Sequence, residues 1–254
     1  MADPFGGGES ETPTSLRLDL PRSVAQIIGE ALDVYQRLPL LFLSLALVVV
    51  GPAGLIVLAV TGRGPLASES GHPIRNLILL LLDTVVIGPL ISALHIHAVA
   101  ALGDGRRPRF VRVMALTLPV LPAVVATVIV SSIGIGIGFV LLIIPGLWLG
   151  IRWAVAAQAA AMDGEGWMPA LSASWALTRG SFGHIFGLLF LVGIVNEGVT
   201  AAVRAIPLGS SAGVGAVAAG IATQTITYSV AALTTALLYY DLRARREPGA
   251  ARQT

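Results

Sequence analysis

Apolar residues dominate the chain in long unbroken blocks, separated by short polar and arginine-bearing segments. A helix needs about 20 apolar residues to cross a bilayer core. Six stretches meet that length: about 39–61, 76–102, two within 115–162, 183–206 and 214–240. Lipid offers no hydrogen bonds to a bare backbone, so each stretch is expected to be a helix. No barrel-like alternation of apolar and polar residues occurs. The block from 115 to 162 is too long for one span. The small, polar segment Ser131-Ser132-Ile133-Gly134 is the expected break, and Pro119, Pro122, Pro145 and Gly146 are expected to make that hairpin irregular. The expected fold is all-α: a polytopic integral membrane bundle of six transmembrane helices.

Two other segments carry a helical period without the length of a span. In 22–38, Val24, Ile27, Ile28, Ala31, Tyr35 and Leu38 fall on one face, and Gln26, Glu30, Asp33 and Arg37 on the other. This pattern predicts an amphipathic interfacial helix leading into the first span. In 167–181, Trp167, Leu171 and Trp175 recur every four residues, and Phe110 with Met114 makes a shorter version. The chain thus reads as three units, each a lead-in followed by a helical hairpin. The Gly-, Pro- and acid-rich residues 1–21 are expected to be a disordered tail, 22–246 the membrane domain, and 247–254 a second short tail. No signal-peptide pattern precedes the first span.

Composition agrees with the block pattern. Charged residues are 12% of the 254, about half the usual share in a soluble domain. That argues against a soluble enzyme or a nucleic-acid binder. The net charge is +2, and all sixteen basic residues are arginine. With the N-terminus inside, twelve arginines fall on the cytoplasmic side and three (Arg63, Arg75, Arg204) outside, with Arg152 within a span. The bias predicts cytoplasmic termini in a bacterial plasma (inner) membrane. Tyr239 and Tyr240 read as an aromatic anchor at the inner face. There is no cysteine, which excludes thiolate sites.

Two stretches, Ile144-Pro145-Gly146-Leu147-Trp148-Leu149-Gly150-Ile151-Arg152-Trp153 and Leu171-Ser172-Ala173-Ser174-Trp175-Ala176-Leu177-Thr178-Arg179-Gly180-Ser181-Phe182, carry a family resemblance. The segments Gly29–Tyr35, Leu102–Pro108 and Tyr239–Arg243 add to it. Over about 22–246 the chain resembles the glycerophosphoryl diester phosphodiesterase membrane-domain family. The resemblance implies a membrane region that accompanies a phosphodiesterase domain in some proteins and stands alone in others. A catalytic domain of that kind resembles a TIM barrel of about 250 residues, which this chain does not accommodate. No phosphodiesterase activity is therefore carried over.

Charges within spans are the candidates for function. They are Asp83, Arg152 and Glu197, with Arg204 seven residues beyond Glu197 on nearly the same face. From the rise per residue, Arg152 could reach Glu197 if spans four and five are neighbours. Such a trio either locks the helices or forms a transport or substrate site. The transport reading requires a hydrated cavity near Arg152. Gly146-x-x-x-Gly150 and Gly183-x-x-x-Gly187 allow close helix contact, more readily within the bundle than between subunits. Span six carries Thr223, Gln224, Thr225, Thr227, Tyr228, Ser229, Thr234 and Thr235, and is expected at the centre. His95-x-His97 places two imidazoles on different sides of a helix, so no metal site is expected, and no cofactor motif is found. The first functional expectation is a non-enzymatic membrane scaffold or accessory protein, with the bilayer and a membrane partner or second copy as partners. The alternative is a small transporter or lipid-handling protein using the intramembrane polar residues.

Overall fold

The computed structural model describes residues 16–66, 72–164, 166–207 and 212–246. All regular structure among the described residues is helical. The expected tails at 1–15 and 247–254 lie outside the described residues. Residues 16–21, also assigned to the tail, instead pack onto the membrane domain. The Leu16 N–H reaches the Leu102 carbonyl at 3.4 Å, and the Leu18 side chain lies over Gly103, where a Cβ would clash with it.

Helix α1 spans Val24–Arg37. Ser23 caps it: the Ser23 Oγ accepts from the Gln26 N–H at 3.3 Å, and the Gln26 Oε1 accepts from the Ser23 N–H at 2.8 Å. The exchange satisfies two of the donors that a helix start leaves open. Ile27, Ala31 and Val34 are buried, and the Asp33–Arg37 pair sits exposed on the other side. Helix α2 (Pro39–Thr61) starts on a proline, whose fixed φ suits the first turn, and stops at Gly62 in the left-handed region.

The second expected span is a composite. Helix α3 (Pro73–Leu82) runs through a π-helical turn, Asp83–Ile87, into α4 (Gly88–Gly103). Pro89 explains the wide turn. Its ring lacks an N–H and collides with the preceding helical carbonyl, and a π turn opens the backbone just there.

Helices α5 (Phe110–Thr117) and α6 (Leu121–Leu141) are joined by the 3-10 turn Leu118–Val120, around Pro119. The chain then folds back into α7 (Ile143–Arg152) and α8 (Ala156–Asp163). The break between these arms corrects the sequence expectation. Ser131 to Gly134 are uninterrupted helix, with the Ser131 hydroxyl donating to the Val128 carbonyl at 3.0 Å. The chain turns at Leu142, whose backbone is extended. Pro145 dictates this, because it is tolerated in the first turn of a new helix but not inside a continuing one. Gly138 and Gly146 meet across the turn so closely that a Cβ on Gly138 would lie 2.8 Å from the Gly146 Cα.

Helix α9 (Trp167–Thr178) buries Ala170, Leu171, Ser174 and Thr178, whereas Trp167 is exposed. Of the expected series only Leu171 is buried, and the small and hydroxyl residues Ala170, Ser174 and Thr178 complete the buried face. Helices α10 (Phe182–Arg204) and α11 (Val214–Arg246) follow. Helix α11 is the axis of the bundle and packs on α1, α2, α4 and α10. From Ala236 to Leu242 every residue is buried, so this helix is enclosed on all sides there.

Five helical stretches are long and apolar enough to cross a membrane: Pro39–Thr61, Phe110–Leu141, Ile143–Asp163, Phe182–Arg204 and Val214–Arg246. Five replace the six expected because the π turn divides the second stretch into shorter helices, of which Gly88–Gly103 is apolar. Helix α10 lies at the periphery, with only Ile185 and Leu188 buried. Gly183 and Gly187 have nothing within 4 Å of a built Cβ, so their expected use inside the bundle is not realised.

Candidate functional site: a polar cavity beside the first half of α11

Polar residues from three elements converge on one cavity of about 560 Å³. Helix α11 supplies Gln224, Thr227 and Tyr228, and the α3–π–α4 segment supplies Asn76 and Asp83. Helix α10 adds Asn196, Glu197, Thr200 and Arg204, and α2 with the following loop closes the wall through Gly54, Val57, Pro65 and Leu66. The volume is in the range that holds small ligands.

Local structure aims the charged groups. Asp83 opens the π turn, and its carboxylate accepts a hydrogen bond from the Tyr228 hydroxyl. Arg204 ends α10, and its Nε donates to the Leu66 carbonyl at 3.1 Å. Glu197 has no hydrogen-bond or ion-pair partner among the described residues and opens onto the cavity. Three of the four sequence candidates, Asp83, Glu197 and Arg204, are therefore brought to one place. Asn196 and Thr200 escaped the sequence reading, although Asn196, Thr200 and Arg204 recur every four residues on one helix face.

Arg152 is not part of this cavity, which corrects the expected reach to Glu197 and the expected cavity beside it. Its guanidinium carbon lies 5.2 Å from the Trp148 ring centroid and 5.1 Å from that of Trp175. The two indoles meet edge to face at 4.9 Å. Aromatic faces thus take the place of a carboxylate. The Arg152 carbonyl accepts from the Ser174 hydroxyl at 2.9 Å and from Thr178 at 3.2 Å, tying α7 to α9.

A second polar centre lies at the other end of α11 and was not foreseen. Asp241 is fully buried. It accepts from the Arg22 backbone N–H at 2.5 Å and from the Arg245 Nε at 2.8 Å, with the His184 Nε2 at 3.0 Å. Arg22 is itself buried against Glu30, and the Arg245 guanidinium donates to the Arg22 carbonyl at 2.5 Å. This group joins the starts of α1 and α10 to the end of α11.

His95, between the two centres, is completely buried, with its Nδ1 2.8 Å from the Ile91 carbonyl and its Nε2 2.8 Å from the Ser229 Oγ. The other threonines of α11 mostly return their hydroxyls to carbonyls one turn back, as Thr223, Thr225 and Thr234 do. Among the described residues, no group of three or more histidine, aspartate or glutamate residues is arranged to hold a metal. Comparisons with protein-family models, curated proteins and solved structures give no match.

Proposed function

We propose that this chain is a lipid-handling or solute-binding protein of the bacterial plasma membrane, and that the cavity at Asp83, Glu197 and Arg204 takes up a polar solute or lipid headgroup; transport through a cavity beside Arg152 is not part of this reading. The observation that carries this reading is the convergence of Asp83, Glu197 and Arg204 on one cavity. A charge held among apolar helices is costly unless it is paired or hydrated. Glu197 is exposed on the peripheral α10 and lines the cavity, so its carboxylate is free to meet a ligand or water there. On this reading six segments, the second being α3–π–α4, are embedded in the membrane, and the arginine bias argues for both termini on the cytoplasmic side. Helix α1 then lies at that face as an interfacial element, and the cavity opens toward the opposite side. The resemblance to the glycerophosphoryl diester phosphodiesterase membrane-domain family fits a role carried by this membrane region.

The test combines access and occupancy. In the full chain, Thr227→Cys is expected to react with a charged, membrane-impermeant thiol reagent from the outer side of sealed vesicles. Mass spectrometry of protein purified in mild detergent is expected to find a small molecule or lipid that Asp83→Asn/Glu197→Gln no longer retains. An unreactive Thr227→Cys variant together with identical bound species would sink the reading.

The scaffold reading draws on α10. Its Gly183 and Gly187 face open space, and Phe182, Phe186 and Phe190 stack along it with centroids 6.3 and 5.6 Å apart. Cross-linking from Gly187→Cys to a second membrane protein, with the cavity variants silent, would favour it.

A further inference from the structure

The hairpin of α6 and α7 carries no charged, hydroxyl or amide side chain from Ile133 to Ile151. Its turn is left uncovered by the rest of the chain: Val140, Leu141, Leu142, Ile143 and Ile144 are 88, 71, 67, 73 and 80% exposed. An outer loop would hold these five side chains in water, where exposed apolar surface is unfavourable. It would also lack any polar group to anchor it at the headgroups.

The arm leading back from the turn can be traced to the arginine-rich face. Arg152 is clasped between Trp148 and Trp175, residues typical of the interface between lipid and water. Its carbonyl is held by Thr178, and the carbonyl of the next residue, Arg179, accepts from the guanidinium of Arg246 at the end of α11. Arg152 therefore belongs to the cytoplasmic half of the membrane. Only ten residues separate it from Leu142, or about 15 Å of helix. The apolar core is about 30 Å thick.

We infer that α6 and α7 form a re-entrant hairpin, whose turn at Leu142 ends within the hydrocarbon and is covered by acyl chains. The tight Gly138–Gly146 approach lets the two arms enter as one narrow wedge. The bundle then keeps its cytoplasmic termini, while this pair of helices returns to the face it came from.

The absence of cysteine makes the test direct. Leu142→Cys in the full chain is spin-labelled in detergent and reconstituted into phosphatidylcholine–phosphatidylglycerol vesicles. Collision with oxygen, which concentrates in hydrocarbon, is compared with collision with a water-soluble nickel chelate. The expected result is high oxygen and low nickel accessibility, with Arg63→Cys as the water-exposed reference. High nickel accessibility at 142 would mean that the turn emerges, and would overturn the inference. Low accessibility to both would mean that protein covers it, and would equally overturn it. Val140→Cys, the most exposed position of the turn, repeats the measurement if Leu142→Cys does not fold.

Discussion

The carboxylate of Asp241 accepts the backbone N–H of Arg22 at 2.5 Å, closing a separation of 219 residues. The bond fastens the start of α1 to the end of α11 in a place where Asp241 has no contact with solvent. Removing a buried charge partner leaves its counterparts desolvated and unpaired, which costs about 3–5 kcal/mol. Asp241→Ala is therefore expected to lower the unfolding temperature strongly, and Asp241→Asn less, because an amide oxygen still accepts from the Arg22 N–H. Thermal unfolding followed by the fluorescence of the four tryptophans reads both. An Asp241→Ala protein as stable as the parent would show that the network is incidental.

The His95–Ser229 bond has a definite polarity. A carbonyl only accepts, so the Nδ1 facing the Ile91 carbonyl carries the hydrogen; in the neutral imidazole Nε2 then accepts from the Ser229 hydroxyl, which it shares with the Phe42 carbonyl at 3.3 Å. Ser229→Ala strands that nitrogen in a dry core. The expected cost is about 1–3 kcal/mol. Thermal unfolding would detect it, and exchange at a threonine with a local partner, such as Thr235→Ala, is expected to change little by comparison.

Which of these features the sequence discloses depends on how far each is determined locally. Helical period alone locates α1 to within about two residues, because its buried Ile27 and Ala31 lie on the face read from the sequence, with Val34 buried beside that face. The central place of α11 follows from its polar run, which is costly against lipid. The turn at Leu142 is hidden because serine and glycine tolerate a helix, whereas Pro145 ends one without any change in hydropathy. Pairing fails for a different reason. Depth arithmetic assumes upright helices and gives no account of which helices are neighbours, so Arg152 was matched to Glu197 when two indoles from α7 and α9 supply its partner. Asp241 gives no signal of its own in the sequence, because its partners lie mostly on distant elements, at the starts of α1 and α10, as well as on its own helix.

The Arg152 clasp predicts that charge alone is not enough. Lysine keeps the charge but offers a compact ammonium in place of a plane that stacks on two rings. Arg152→Lys is expected to destabilise the chain by about 1–2 kcal/mol, on the scale of a desolvated cation–π contact. Trp175→Leu is expected to have a similar effect, and the double variant less than the sum, because both changes break one contact. A double-mutant cycle on thermal unfolding gives the coupling; strict additivity would mean that the guanidinium and indole do not interact.

The hairpin contact separates two glycines that sequence alone does not distinguish. Gly136 has nothing within 4 Å of a built Cβ, whereas a Cβ on Gly138 would lie 2.8 Å from the Gly146 Cα and 3.0 Å from its nitrogen. Backbone cannot swing aside as a side chain can, so Gly138→Ala must force α6 and α7 apart. The expected cost is about 1–3 kcal/mol, the usual range for overpacking. Gly136→Ala lies in an open helical position, where alanine is favoured over glycine by up to about 1 kcal/mol, and is expected to be neutral or stabilising. The unfolding temperatures of the two variants should therefore move in opposite directions or differ clearly. Equal behaviour would mean that the close approach of α6 and α7 contributes nothing to the fold.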